Sequence, residues 1–155
     1  MSSQLTRQIE LQQQLQDLWR RDFPLSNAMG IQVTQFAEHT LTTCTPLQAN
    51  TNTHGTAFAG SLYSAQALTA WGVLYLELAS REIDASIIHA NAQIEFSQPL
   101  AAEIVARCTL ADADARMVAL QDKGKLRLSL TTTVTATQAD IVSNFTGDYV
   151  IRLNR

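Results

Sequence analysis

Hydrophobic and polar positions follow two different periods along this chain, and the switches between them mark out helices and strands. From Gln4 to Phe23 the apolar residues Leu11, Leu15, Leu18 and Trp19 recur at helical spacing, with Leu5 and Ile9 to one side and Gln, Arg and Glu elsewhere. The spacing predicts a surface helix over about residues 4–23, with Pro24 and Gly30 marking its exit. Ile31 to Leu47, rich in Thr and branched residues and closed by Pro46, reads as a strand or a bent strand pair, and Asn50 to His54 as a polar turn.

The next segment has no charge. Thr56 to Leu76 reads TAFAGSLYSAQALTAWGVLYL, and its apolar residues point in nearly every direction around a helix. A helix predicted over about residues 56–78 with that pattern is either buried or membrane-spanning. Its length approaches the roughly 20 residues a span needs. Ser61, Ser64, Gln66 and Thr69 crowd its first half, however, and its flanks look like soluble strands, so the expectation is a central helix sheathed in protein, with no membrane partner.

Strict alternation follows. Ile88, Ala90, Ala92, Ile94 and Phe96 alternate with His89, Asn91, Gln93 and Glu95. Three further runs repeat the pattern around Ala102–Leu110, Leu126–Ala136 and Phe145–Leu153. Period two with one apolar face predicts antiparallel strands packed on one side. Gln98-Pro99-Leu100 separates the first two as a short turn, and a short helix is expected over Asp114–Gln121. Helix, strand, buried helix and then four strands define an α+β class, and the 155 residues form one domain without repeats or linkers.

Composition narrows the function. A net charge of −3 and scattered Lys and Arg argue against a nucleic-acid partner, which needs a basic stripe to neutralise phosphates. Lys123, Lys125 and Arg127 form the only local cluster, read as a turn and a solvated strand face. Cys44 and Cys108 lie in strand-like segments and suggest neither a disulfide framework nor zinc. Three isolated His residues give no metal-ligand spacing. The N-terminus lacks an apolar signal region, so a cytoplasmic location is expected.

The chemistry concentrates where the uncharged helix begins. Gly55-Thr-Ala-Phe-Ala-Gly60-Ser61 resembles a phosphate-binding loop in spacing, but the Lys after the second Gly is missing. What remains is a helix N-terminus whose first N–H groups lack intrahelical partners, flanked by the small residues Ala57, Ala59 and Gly60. Such a terminus can stabilise an oxyanion as an acyl group is attacked. Ordinary close backbone packing at a helix start would produce the same residues.

Asn52-Thr-His-Gly55-Thr56-Ala-Phe-Ala59-Gly60-Ser61-Leu62 resembles the helix-start motif of hotdog-fold thioesterases, with Phe58-Ala59-Gly60 where many members have His-Gly-Gly. With Trp71-Gly72, Glu95-Phe96-Ser-Gln-Pro99, Gly124-Lys125 and Phe145-Thr-Gly147-Asp-Tyr149, the chain is similar to a bacterial thioesterase domain that sometimes follows an N-acetyltransferase domain. The resemblance implies a hotdog fold, in which a curved antiparallel sheet wraps a long central helix. It implies a homo-oligomer, a dimer or a tetramer, with sites at the subunit interface. It implies hydrolysis of an acyl thioester on coenzyme A or an acyl carrier protein, without any further cofactor.

By the same resemblance, the backbone N–H of Ala59 or Gly60 forms the oxyanion hole, and Asn52 positions the thioester or the attacking water. Thr56 shapes the turn, and His54, Gly55, Phe58 and Ser61 border the substrate. His89 and Asn91 lie on the strand that reaches the neighbouring site, with His89 a candidate catalytic group. One departure stands out. Many relatives carry an acid on the central helix where this chain has Ala67, and no acid appears on the helix before Glu77. Candidate bases are His54, His89 and a partner's Glu95, since a general base must reach the proton it takes. A non-catalytic acyl-CoA binding or sensing module, and a 3-hydroxyacyl-thioester dehydratase, remain the alternatives.

Overall fold

The apolar stripe of the first helix meets the sheet through both its leucines and its glutamines. A computed structural model of the chain describes residues 2–137 and 140–155. Helix α1 (Ser2–Asp22) buries Leu11, Leu15 and Trp19, whereas Leu5 and Ile9 stay exposed. It lies beside β1 (Gln32–Ala37), which pairs with β2 (Thr40–Thr45) in a hairpin whose turn residues Glu38 and His39 both have positive φ. Two central residues of that kind suit the twist of a tight hairpin.

Between α1 and β1 the chain forms a second short helix, α2 (Pro24–Met29), where the sequence suggested only an exit. Pro24 occupies its first turn, where the missing N–H costs nothing, and Gly30 ends it in the left-handed conformation at φ 72°. The Pro and Gly therefore frame a helix as well as ending one.

The central helix α3 (Ala59–Ser80) starts three residues later than the uncharged run suggests. Leu62, Ala65, Val73, Leu74 and Leu76 are all buried in it, each worth roughly 1.5–3 kcal/mol for the larger side chains. Strand β3 (Ala85–Phe96) follows, then β4 (Ile104–Thr109), helix α4 (Ala113–Lys123), β5 (Lys125–Thr135) and β6 (Ile141–Leu153). The six strands form one antiparallel sheet in the order β1-β2-β4-β5-β6-β3. Its inner face, including Leu41, Ile104, Leu128, Val134, Phe145, Tyr149 and Ile151, is buried with α3.

Strand β3 corrects the alternation read from the sequence. Its pairing with β6 slips between His89 and Asn91, so Ala90 is an extra residue. A bulge of one residue reverses the facing of everything beyond it. Ala92 and Ile94 face inward as expected, but before the bulge Ala85, Ile87 and His89 share the inner face, and Ile88 is 49% exposed on the outer one.

The two sheet edges differ. Along β1 the edge is closed by side chains of α1. Gln16 Nε2 donates to the Ile31 carbonyl at 3.0 Å and Gln16 Oε1 accepts from Val33 N–H at 2.7 Å, while Gln12 Oε1 accepts from Phe36 N–H. Two amides thus stand in for a missing strand. Among the described residues, strand β3, at the other edge, pairs on one side only, with β6. Among the described residues no helix is long and apolar enough to cross a membrane.

Candidate active site

The loop before α3 is stitched almost entirely by its own groups. Asn52 Oδ1 accepts from the N–H of His54 at 2.8 Å and of Thr56 at 3.1 Å, and Asn52 Nδ2 donates to Thr56 Oγ1 at 2.8 Å. An Asn that folds back on the following backbone in this way fixes a turn. The turn also needs Gly55, whose φ of 73° a side chain tolerates poorly although open space surrounds it. The loop is then tied to its surroundings. Asn50, buried, donates from Nδ2 to the carbonyls of Met29 and Pro46, Phe58 N–H donates to the Asn50 carbonyl, and Ala57 N–H donates to the Leu100 carbonyl.

This framework delivers Phe58 as the N-cap residue in an extended conformation without any side-chain cap. Leu62 N–H closes the first helical turn onto the Phe58 carbonyl at 3.0 Å. The N–H groups of Ala59, Gly60 and Ser61 precede that bond and have no carbonyl four residues back within the helix. The helix dipole makes their surroundings electropositive. Phe58 lies against Gly60, where an added Cβ would meet its ring, although that ring is exposed and free to move aside. A cleft of about 430 Å³ opens beside these donors, between Asn52, His54, Thr56 and Ala59 on one wall and Phe96–Leu100 on the other. Ser61, at 9% exposure, is buried.

The helix face that continues from Gly60 is left partly open. Gly60, Ser64, Ala67 and Trp71 succeed one another at helical spacing, and none is fully buried. Beside this stripe the bulge in β3 turns His89 inward. Its ring stacks on Tyr149 at 4.6 Å with an interplanar angle of 13°, meets Phe145 edge-on at 5.8 Å, and places Nε2 3.1 Å from the Asn91 carbonyl. A pocket of about 250 Å³ results, lined by Tyr63, Ser64, Ala67 and Trp71 of α3, by Phe23, Leu25 and Ser26, and by His89.

The site residues named from the sequence therefore fall into three groups. Asn52, His54, Gly55, Thr56, Phe58, Ala59 and Gly60 lie together at the helix start, and Ser61 is buried just inside it. His89 joins the open stripe of the same helix. Asn91, one residue past the bulge, pairs with Asp148 on the outer face of the sheet and so parts from His89. Glu95 is likewise exposed on β3. Phe23 and the residues of α2 escaped the sequence reading. The Phe-Pro step followed five residues on by Met-Gly was the available signal.

Neither cysteine is suited to act as a nucleophile. Burial, with Glu103 accepting the thiol hydrogen at 3.0 Å, pushes the Cys44 thiol up to about 11, and burial pushes Cys108 up to about 11. A reactive cysteine needs the opposite shift. We expect both to be alkylated by iodoacetamide at pH 7.5 at least about tenfold more slowly than free cysteine, as followed by mass spectrometry. Rapid labelling of Cys44 would contradict the burial described. Among the described residues, no cluster of three or more His, Cys, Asp or Glu side chains is placed to hold a metal ion.

Comparison with known proteins defines the class. The family described as "Putative thioesterase (yiiD_Cterm)" matches residues 12–153, and the chain belongs to it. A protein of unknown function from Chlorobaculum tepidum is 25% identical and superimposes with a TM-score of 0.89 over 95% of this chain and 97% of its own. A putative thioesterase from Shewanella oneidensis is 28% identical, with a TM-score of 0.85 over 94% and 99% of the two chains. The curved antiparallel sheet around one long helix is the hotdog fold, shared with the Shewanella oneidensis protein. Family membership supports thioester hydrolysis as the general activity.

Proposed function

We propose that the protein hydrolyses an acyl thioester, carried on coenzyme A or an acyl carrier protein, at a site completed by a second copy of the chain. The observation that carries this reading is the row of first-turn N–H donors at Ala59 and Gly60, set at the head of an open helical stripe. The thioester carbonyl oxygen would accept from these groups, where the charge of a tetrahedral intermediate develops. Water attacks the carbonyl carbon, its proton passes to a base, and the sulfur departs as the thiol once the C–S bond breaks. His89 is the candidate base, because the bulge faces it onto the stripe. Asn52 acts through the loop: its amide holds the turn that aims Ala59 and Gly60. The reaction consumes only water, so no cofactor enters the proposal, and a cytoplasmic site of action is proposed with it.

The unequal sheet edges support the dimer. Glutamines close the β1 edge, whereas β3, twelve residues long and carrying exposed Ile88 and Phe96, has no partner strand on its outer side among the described residues. Pairing of β3 with its copy would close both sheets and bring two His89 stripes together.

The test is thiol release from acyl-CoA esters from acetyl to palmitoyl, with benzoyl and phenylacetyl members. Asn52→Ala should lower kcat/KM by roughly tenfold or more with an unchanged circular dichroism spectrum. Wild-type turnover in that variant would remove Asn52 from the mechanism. The alternative, an acyl-CoA binding module, is favoured by one observation, the alanine at position 67 where the open stripe offers no carboxylate. Thermal stabilisation by an acyl-CoA without any thiol release would decide for it.

A further inference from the structure

The pocket beside His89 has a floor. Phe23, from the α1–α2 junction, meets Trp71 with ring centroids 5.1 Å apart at 59°, and Trp71 stacks on Tyr75 at 5.6 Å and 11°. Three rings therefore block the open stripe of α3 at Trp71. From Ser64 to Trp71 the helix rises only about 10 Å. The opposite wall is held by the stack of His89 on Tyr149, which is buried. The volume is about 250 Å³ and the lining is aromatic or aliphatic apart from Ser64, Ser26 and the imidazole.

Resting on the hydrolytic reading above, we propose that this pocket is the acyl subsite, that Trp71 braced by Phe23 limits its depth, and that it takes a compact acyl group, aromatic in preference to a long saturated chain. The pocket begins one turn beyond the donors of Ala59 and Gly60, so an acyl group whose carbonyl oxygen lies at those N–H groups projects onto Ser64 and Ala67. Tyr63, Trp71, Phe23 and His89 can meet an aryl ring edge-on or offset, the arrangements that ring quadrupoles favour. A long flexible chain loses rotamer entropy on ordering and meets Trp71 before it is buried.

The experiment compares phenylacetyl-, benzoyl-, hexanoyl- and palmitoyl-CoA with the wild-type protein, Trp71→Ala and Trp71→Phe. The wild type should favour the aromatic esters over palmitoyl by roughly tenfold or more in kcat/KM. Trp71→Ala should raise the palmitoyl to phenylacetyl ratio by about tenfold, while Trp71→Phe keeps the wild-type order. A chain-length profile unchanged in Trp71→Ala, with hydrolysis intact, overturns the subsite and leaves the hydrolase standing. Should no ester be hydrolysed, the hydrolytic reading fails, and the same compounds are scored by thermal shift. Stabilisation by phenylacetyl-CoA that weakens in Trp71→Ala upholds the pocket; equal stabilisation of both proteins, or none, overturns it.

Discussion

Trp19→Ala should cost about 3–5 kcal/mol of folding stability, the range for truncating a fully buried aromatic. Trp19 has no exposed surface and sits where α1 crosses α3. The crossing is close: a Cβ added at Gly72 of α3 would come within 2.9 Å of the Trp19 ring and 2.7 Å of Leu41. The same residue organises the chain reversal, since its carbonyl accepts from Phe23 N–H at 2.9 Å and from Ser26 Oγ at 3.0 Å. Those backbone bonds survive the substitution, so the loss should be almost wholly one of packing. Trp19→Phe should cost less than half as much. It keeps much of the buried area and removes an indole N–H that has no hydrogen-bond partner among the described residues, an arrangement that itself destabilises the native state. Urea midpoints at a fixed protein concentration, with an unchanged m-value, would measure both. A loss under about 1 kcal/mol for Trp19→Ala would mean that α1 adds little to the core.

The consequence would reach the candidate site. Trp19 holds α1, α1 holds Phe23, and Phe23 braces Trp71. The apolar stripe of α1 foretold burial of Leu15 and Trp19, because period and position suffice for that. It could not foretell Gln12 and Gln16, polar residues that seal the β1 edge, since nothing in a helical period distinguishes a glutamine facing water from one facing a bare backbone.

The same limit explains the other differences. Helix α3 was legible because a charge-free run of its length has few ways to exist, and the thioesterase motif carried the helix start with it. The bulge at Ala90 was illegible. Ile87-Ile88-His89-Ala90 satisfies alternation in either parity, and only the pairing of His89 with Tyr149 and Asn91 with Asp148 selects one. Because parity decides which face a side chain takes, that single extra residue separates His89 from Asn91 and brings the imidazole onto the open stripe. Helix α2 was obscured by its brevity, with six residues being too few to show a period.

At the opposite end of α3 from the candidate site, Arg81→Ala should destabilise the protein by about 3 kcal/mol, the lower end expected when a buried charge is left without its partner. Glu77 is 1% exposed, and both carboxylate oxygens are engaged: Oε1 lies 2.8 Å from His39 Nδ1, and Oε2 accepts from Arg81 Nη1, whose Nη2 in turn binds Asp114. The cluster joins the β1–β2 turn, the end of α3 and the first turn of α4. Its members are unequal. His39 and Arg81 reach solvent, at 45% and 24% exposure, so each can rehydrate if it loses a partner, whereas the carboxylate cannot. His39→Ala should therefore cost only about 1 kcal/mol, since Glu77 keeps Arg81. Glu77→Gln should fall between, because it removes the buried charge while retaining an acceptor and the volume. The effect of Arg81→Ala should persist in 1 M salt, because a Debye length of about 3 Å screens exposed charges but screens a partly buried pair much less. Equal losses for His39→Ala and Arg81→Ala would show that burial of the Glu77 carboxylate does not set the cost of losing a partner at this end of the helix.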